Sequence, residues 1–269
     1  MNWPGKMARC IGFQTSPRNK FLPYHPECMY VVHLSKIILH DIVKYSGDAF
    51  NRHPDPSYLL QKKRELDAIG HDLAATDDDA IPLVQMMGNY CGLNNVADIR
   101  SIALACEEDL AILHKGKLVS ICFCFPSGFV PAQKLGESFF GLHLPVADGD
   151  NLRASSEKVA AIISRDGPMF RRHVWTVTSL PGLSQHPGYQ RPVASGIGNL
   201  YFRTETQTTV GVAGDTCLFF VKVDMHPLAL VWEDKSKRDL LLESINSMTP
   251  STLEYKNLHA VKAILNSHR

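Results

Sequence analysis

The period of the hydrophobic pattern changes at Glu107. Upstream of this position apolar residues recur every three or four residues, which is typical of amphipathic helices. Downstream, short apolar runs are separated by Gly and Pro, which favours β-strands joined by turns. The sequence therefore predicts an α+β fold that forms one structural unit from three segments: a helical N-terminal region over 1–106, a sheet-containing core over 107–227 and C-terminal helices over 228–269.

The N-terminal segment is predicted to be extended at first and helical afterwards. Residues 1–26 contain four prolines, so we expect an extended conformation there. Apolar residues at helical spacing follow over 27–45, and Ser57 can cap a further helix. Two shorter helices are expected over 81–90 and 96–105.

The core is predicted to contain two strands, a crossover and three further strands. Strands over 109–113 and 118–125 flank a Lys-Gly-Lys turn and form a hairpin. The irregular residues 126–149 and a helix that begins near residue 150 make the crossover. The remaining strands are predicted over 173–180, 200–210 and 217–225.

This order of elements is that of a PAS domain, in which one face of a sheet and the crossover enclose a ligand. We therefore expect a PAS-like five-stranded antiparallel sheet with crossover helices, flanked by N-terminal and C-terminal helices. The loop over 181–198 is long and rich in Gly and Pro, and it is a candidate lid. An architecture alone does not define a function, which must be argued from particular residues.

His143 is the candidate metal ligand. It lies in the crossover, where it would face the space that a ligand occupies. A neutral imidazole is a common axial ligand of haem iron. The alternative is a core histidine whose ring is satisfied by a backbone carbonyl. No second His, Cys or carboxylate lies two to four positions further on, so a compact non-haem metal site is not indicated.

Arg203 and Glu205 are the candidate catalytic residues. Residues two apart on a strand share a face, so Arg203, Glu205 and Gln207 project together. A solvated sheet face is the alternative. However, the strand is expected inside the sheet, where buried charge must be paired or used. A buried Glu could hold an ammonium group or relay a proton, and a buried Arg could polarise dioxygen or bind an anion.

Composition and charge argue against several classes of protein. The 28 basic and 27 acidic residues almost cancel, so neither nucleic acid nor an anionic membrane is expected as a partner. The longest apolar run is too short for a membrane helix, and we see no secretory signal. Seven cysteines without a Cys-x-x-Cys pair favour a reducing, cytoplasmic location. Cys122, Cys124 and Cys217 are interpreted as small buried hydrophobes rather than as thiolate ligands.

A set of short motifs resembles the haem-dependent oxidative N-demethylase family, whose type member is a PAS-fold subunit that acts on dimethylamine. The matching pieces are 108–113, 125–127 with Pro131, Lys134 and Gly136, 143–146, Trp175, 200–208 and 255–258. Their order and spacing hold over about residues 105–265.

The resemblance implies haem b in a PAS-like pocket, oxygen at the iron and oxidation of a small substrate. It implies that His143 is the proximal ligand and that Arg203 and Glu205 line the pocket. At the matching positions Phe125, Trp175 and Gln207 are predicted to contact the cofactor. Electrons in the type system come from NADPH through flavin and iron–sulfur partners. Motifs for those cofactors are not found in the sequence, so a separate reductase is expected.

The sequence departs from the family pattern at Phe129, at Val174, over 209–212 and over 222–224. Lost basic residues there could alter reductase docking or the contacts of the haem propionates. The substrate can therefore differ from dimethylamine, and a larger natural product of secondary metabolism is the alternative. A redox-neutral haem reaction is an alternative to oxidation. A haem-binding sensor is a further alternative, although no output module is recognised. The last alternative is a haem-free PAS-like binding module.

Overall fold

A computed structural model describes residues 43–268 of the chain. Its strands are β1 (Val43–Tyr45), β2 (Ala74–Thr76), β3 (Asp109–His114), β4 (Lys117–Cys122), β5 (Met169–Thr178), β6 (Tyr201–Val212) and β7 (Thr216–Pro227). Its helices are α1 (Pro56–Leu73), α2 (Ile81–Tyr90), α3 (Ile99–Ala103), α4 (Phe139–Leu142), α5 (Asp150–Ile163), α6 (Leu228–Trp232), α7 (Lys235–Ser247), α8 (Pro250–Tyr255) and α9 (His259–Ser267). The extended segment predicted over 1–26 lies outside the described residues, as does most of the helix predicted over 27–45.

The described residues form an α+β fold around one antiparallel sheet, as the pattern predicted. The sheet has seven strands in the order β1-β5-β6-β7-β3-β4-β2. The prediction of five strands was incomplete, because β1 and β2 are three-residue strands at the two edges. Three residues are too few to show the alternation that identifies a strand in a sequence. None of the helices in residues 43–268 is long and apolar enough to cross a membrane.

The hairpin turn between β3 and β4 and the start of α1 each have a clear structural cause. The turn between β3 and β4 places Lys115 and Gly116 at φ 49° and 73°, the left-handed pair that a tight two-residue hairpin requires. Helix α1 begins earlier than predicted, because the Asp55 side chain accepts a hydrogen bond from the Ser57 amide at 2.8 Å. Pro56 then takes the first helical position, where its missing N–H is not needed.

One face of the sheet is covered by helices from both ends of the described chain. Leu110 and Phe220 are fully buried there against the cluster that contains residues of α1, α2 and α3. Phe202, on the same face, packs with the cluster of α6 to α9. Because its partners come from distant parts of the sequence, this face ties the N-terminal and C-terminal helices to one sheet.

The other face of the sheet packs against α4 and α5 at one end only. Val159 and Ile163 of α5 contact Phe170 there. Strand β6 passes so close to the end of α5 that a Cβ atom at Gly211 would lie 1.9 Å from the Arg165 carbonyl oxygen, so only glycine fits. The rest of this face is left to line a cavity.

Candidate functional site

A cavity of about 850 Å³ lies between the sheet and the segment that joins β4 to α5. This volume is in the range of pockets that hold cofactors and drug-sized ligands. All of the predicted site residues line it, namely Phe125, His143, Trp175, Arg203, Glu205 and Gln207. The crossover and the middle of the sheet therefore meet at one site, as the sequence pattern indicated.

The His143 imidazole is held with one nitrogen occupied and the other available. It directly follows α4, a single helical turn that Ser138 caps by accepting the Gly141 amide at 3.0 Å. Nδ1 of His143 lies 2.7 Å from the Phe139 carbonyl oxygen. Because a carbonyl only accepts, Nδ1 carries the hydrogen and Nε2 keeps its lone pair. Burial lowers the pKa of His143 to about 4, so the ring is neutral near pH 7.

Glu205 is held by three side chains on the sheet side of the cavity. Arg203 donates to its Oε1 from Nη1 at 2.7 Å, and the Ser127 hydroxyl donates to the same oxygen. Gln207 donates to Oε2 at 2.7 Å and accepts from Arg172 at 2.6 Å. Burial raises the pKa of Glu205, but the Arg203 charge and the three hydrogen bonds outweigh burial and keep it below its usual value. Glu205 is therefore an oriented carboxylate.

Arg203 is only 2% exposed, and its guanidinium is occupied by protein groups. Beside Glu205 and the Ser127 hydroxyl, it donates to the Leu183 carbonyl at 3.1 Å and to the Phe125 carbonyl at 2.8 Å. Of its five N–H donors, four are thus committed. This geometry makes Arg203 a residue that fixes Glu205, and it ties β6 to two neighbouring loops.

A match to a protein-family model decides to which family the chain belongs. A family model described as haem-dependent oxidative N-demethylase, alpha subunit-like, matches residues 77–266. The chain belongs to this family. The match covers every residue predicted for the site and agrees with the resemblance seen in the motifs. No curated protein matches the chain.

The name of this N-demethylase family states a dependence on haem. The residues at the cavity can therefore be compared with what a bound haem requires. Among residues 43–268, no three His, Cys, Asp or Glu side chains come together as a metal site. A haem needs no such cluster, because its porphyrin supplies four ligands and the protein only an axial one. His143 offers a lone pair, Phe125 and Phe129 offer apolar walls, and Lys and Arg side chains offer partners for propionates. The residues present fit a haem.

Two of the residues predicted to contact the cofactor also pack elsewhere in this N-demethylase-like chain. The Trp175 ring stacks on Phe202 at 5.6 Å between centroids, within the cluster of the C-terminal helices. The Phe125 ring is edge-on to Tyr58 at 5.3 Å. Gln207 lies on the cavity wall between Arg172 and Glu205. Their contacts with a cofactor stay predictions.

The loop over 181–198, predicted as a candidate lid, is fixed to the site along its first part. Gln185 exchanges backbone hydrogen bonds with Pro126 and Gly128 at 2.9 and 3.0 Å. Its side chain accepts from Thr178 at 2.7 Å. Together with the bond from Arg203 to Leu183, these contacts make this part of the loop a wall of the cavity.

The segment that carries Phe125 and Ser127 is supported from behind by a buried ion pair. Asp109 accepts the amides of Cys124 and Phe125, each at 2.9 Å. Lys62 of α1, which is fully buried, lies 3.5 Å from the same carboxylate. These contacts fix the start of the loop that supplies the Ser127 hydroxyl to Glu205.

The three cysteines considered as thiolate ligands lie outside the cavity lining. Cys122, Cys124 and Cys217 are fully buried and do not line the cavity. The Cys122 thiol and burial raise the pKa of Cys124, and burial raises that of Cys217 to about 12. Neither of these two thiols is therefore ionised near pH 7, which agrees with a packing role.

Sequence reasoning missed several polar residues of the site. Ser127, Tyr255 and Lys256 lay within matching motifs but had no role assigned. Arg172 carried no signal, because its partner Gln207 lies on the neighbouring strand and the two are far apart in the sequence. Such partners come from the register of β5 and β6, which is not visible in one sequence.

Replacing Arg203 by Met should lower the free energy of unfolding by about 3 kcal/mol, because Glu205 is left as a largely buried, unpaired charge. Urea denaturation measures this. As a control, Lys63→Met breaks an exposed pair with Asp67 and should cost less than about 1 kcal/mol. Equal losses in the two variants would contradict the role given to Arg203.

The contribution of the Glu205 carboxylate to stability should depend on pH. Its folded pKa lies below the ordinary 4.5, so the stabilisation is complete above pH 4.5 and is lost as the pH falls through the folded value. The difference in free energy of unfolding between wild type and Glu205→Gln should therefore shrink below pH 4.5. A difference that stays constant with pH would show that the carboxylate is not stabilised by the fold.

Proposed function

We propose that this protein is a haem-dependent oxidoreductase that oxidises an N-methyl group of a small amine inside the cavity. The observation that carries the proposal is that two functional groups line the same cavity. They are the His143 imidazole, whose Nε2 lone pair is available, and the oriented Glu205 carboxylate. A passive haem carrier has no need of a fixed carboxylate on the pocket wall. Membership of the N-demethylase family supports the same reaction class.

We infer that the five long strands form the PAS-like sheet expected from the sequence. Without the two short edge strands, the order is β5-β6-β7-β3-β4, with the crossover between β4 and β5. In this arrangement the crossover carries His143 and the internal strand β6 carries Glu205. The two groups therefore reach the cavity from opposite sides.

His143 would hold haem b through Nε2, while the Phe139 carbonyl keeps Nδ1 protonated and the ring oriented. Bound there, a haem would supply dioxygen activation and oxidising equivalents. Removal of a methyl group from R₂N–CH₃ consumes O₂, two electrons and two protons, and yields R₂NH, formaldehyde and water. The electrons would come from a separate reductase.

The chain's own residues would bind the amine and handle its proton. Glu205 would accept an N–H of the substrate ammonium and could take up its proton. Arg203 and Gln207 would hold that carboxylate in one orientation by their 2.7 Å hydrogen bonds. The apolar walls around Phe129 and Val174 would exclude water from the methyl group.

The test is turnover by the haem-loaded protein. Reductant, oxygen and a panel of secondary and tertiary N-methyl amines are supplied, and formaldehyde and demethylated amine are measured in equal amounts. We expect both products from at least one amine. Reversible oxygen binding without product from any amine would contradict the proposal and favour a haem-binding sensor.

A further inference from the structure

Cationic side chains greatly outnumber acidic ones in the cavity wall. Those that line it are Lys134, Arg172, Arg191, Arg203 and Lys256, against the single carboxylate of Glu205. The Arg171 guanidinium is turned to the other face of the sheet, where it contacts Tyr45 and the Asp48 carbonyl. The whole chain carries 28 basic and 27 acidic residues, so this excess is local to the cavity. Arg203 already pairs with Glu205, and two haem propionates would offset two further charges. A surplus of positive charge remains for a substrate to meet.

Lys256 is the cationic side chain that lies near Glu205 and has hydrogen-bond donors left for a ligand. It directly follows α8, is partly buried, and donates one hydrogen bond from Nζ to the Trp175 carbonyl at 2.8 Å. An ammonium has three donors, so two are left for a ligand. Trp175 lies one residue from Val174, whose register partner across the sheet is Glu205. Lys256 thus approaches the Glu205 end of the cavity from the outer edge of β5.

The electrostatics agree with this placement. Burial lowers the pKa of Lys256 to about 8, with Glu205 raising it and Arg172 lowering it. Both groups therefore act on this ammonium through the cavity, and near pH 7 it is mostly charged. Burial raises the pKa of Tyr255 and the Glu205 charge raises it further, which agrees with a position of this chain segment near the carboxylate.

A simple dialkylammonium ion suits this end of the cavity poorly. Arg203 already offsets the charge of Glu205, so Lys256 and Arg172 would repel a ligand that carries a net positive charge. A zwitterion, which holds a carboxylate next to its ammonium, matches both signs. We propose, resting on the amine oxidation proposed above, that the substrate is an N-methyl amine that also carries a carboxylate, with Glu205 receiving its ammonium and Lys256 its carboxylate.

Calorimetric titration of the haem-loaded protein tests this with matched pairs of probes. The probes are N-methylglycine, N-methylphenylalanine and N-methyltryptophan, each with its methyl ester, which keeps the ammonium and removes the carboxylate charge. At least one acid should bind about tenfold or more tightly than its ester, the scale of one charged hydrogen bond. Equal affinities within all pairs would overturn the proposal.

Variants of Lys256 assign the preference to this side chain. Lys256→Met should remove the preference for the acid, whereas Lys256→Arg should keep it. Lys235→Met, at an exposed lysine paired with Asp239 on α7, is the matched control and should bind like wild type. If Lys256→Met lowers haem content but leaves the preference intact, the residue holds a haem carboxylate and the proposal is wrong.

Turnover separates this inference from the function on which it rests. Oxidation of dimethylamine and the esters with the same kcat/KM as the acids would overturn the substrate class and leave the N-demethylase function standing. A preference for acids in binding, lost in Lys256→Met, without oxidation of any probe would instead support the recognition by Lys256 and refute the oxidative function.

Discussion

We expect that replacing His143 by Ala abolishes haem retention by the purified protein. The imidazole is the one side chain of the crossover that offers a neutral nitrogen lone pair to the cavity. Changes to groups that only orient a metal ligand cost about 10- to 100-fold in affinity, so loss of the ligand itself should cost at least about 100-fold. The ratio of haem to protein absorbance after gel filtration measures the loss.

Two further variants make this result specific. His114→Ala removes a histidine that bonds Thr216 at 2.9 Å at the end of β3, outside the cavity lining, and should keep full haem content. His143→Gly with added imidazole should recover part of the haem, because free imidazole can enter the space of the lost ring. Full haem content in folded His143→Ala would refute the ligand assignment.

Replacing Glu205 by Gln should lower kcat/KM for the most active amine by about 100- to 1000-fold, because a positioned proton acceptor contributes on this scale. The amide keeps the size of the side chain but loses the charge that Arg203 and Gln207 orient. Haem content should not change. A rise in KM alone would indicate that Glu205 only binds the ammonium, whereas a fall in kcat would indicate proton transfer.

Glu254→Gln is the matched control for this variant. Glu254 lies on α8, close to Lys256 in sequence, but its side chain is 83% exposed. Its replacement should leave kcat/KM within about twofold of wild type, since exposed substitutions rarely disturb a site. If Glu205→Gln were as active as Glu254→Gln, the carboxylate would have no part in the reaction.

The sequence was informative wherever a signal is local. Helix α2 lies at 81–90 as predicted, and the hairpin of β3 and β4 turns at Lys115 and Gly116. Alternation along β6 placed Arg203, Glu205 and Gln207 on one face, and all three line the cavity. These features depend on periodicity and turn chemistry, which a single sequence contains.

Features that depend on tertiary contacts could not be predicted. Strands β1 and β2 exist only because the edges of β5 and β4 pair with them. The single turn of α4 is too short to show a helical period, yet its Phe139 carbonyl orients His143. Likewise, the commitment of Arg203 to Leu183 depends on where the loop over 181–198 lies.

The visible absorption spectrum of the wild-type protein, reduced and with carbon monoxide, reports whether a haem is bound and which type of side chain holds its iron. We expect an equimolar haem whose carbon monoxide complex has the spectrum of an imidazole-ligated iron. A folded but colourless protein from cells supplied with ample porphyrin would contradict it, and so would the spectrum of a thiolate-ligated haem.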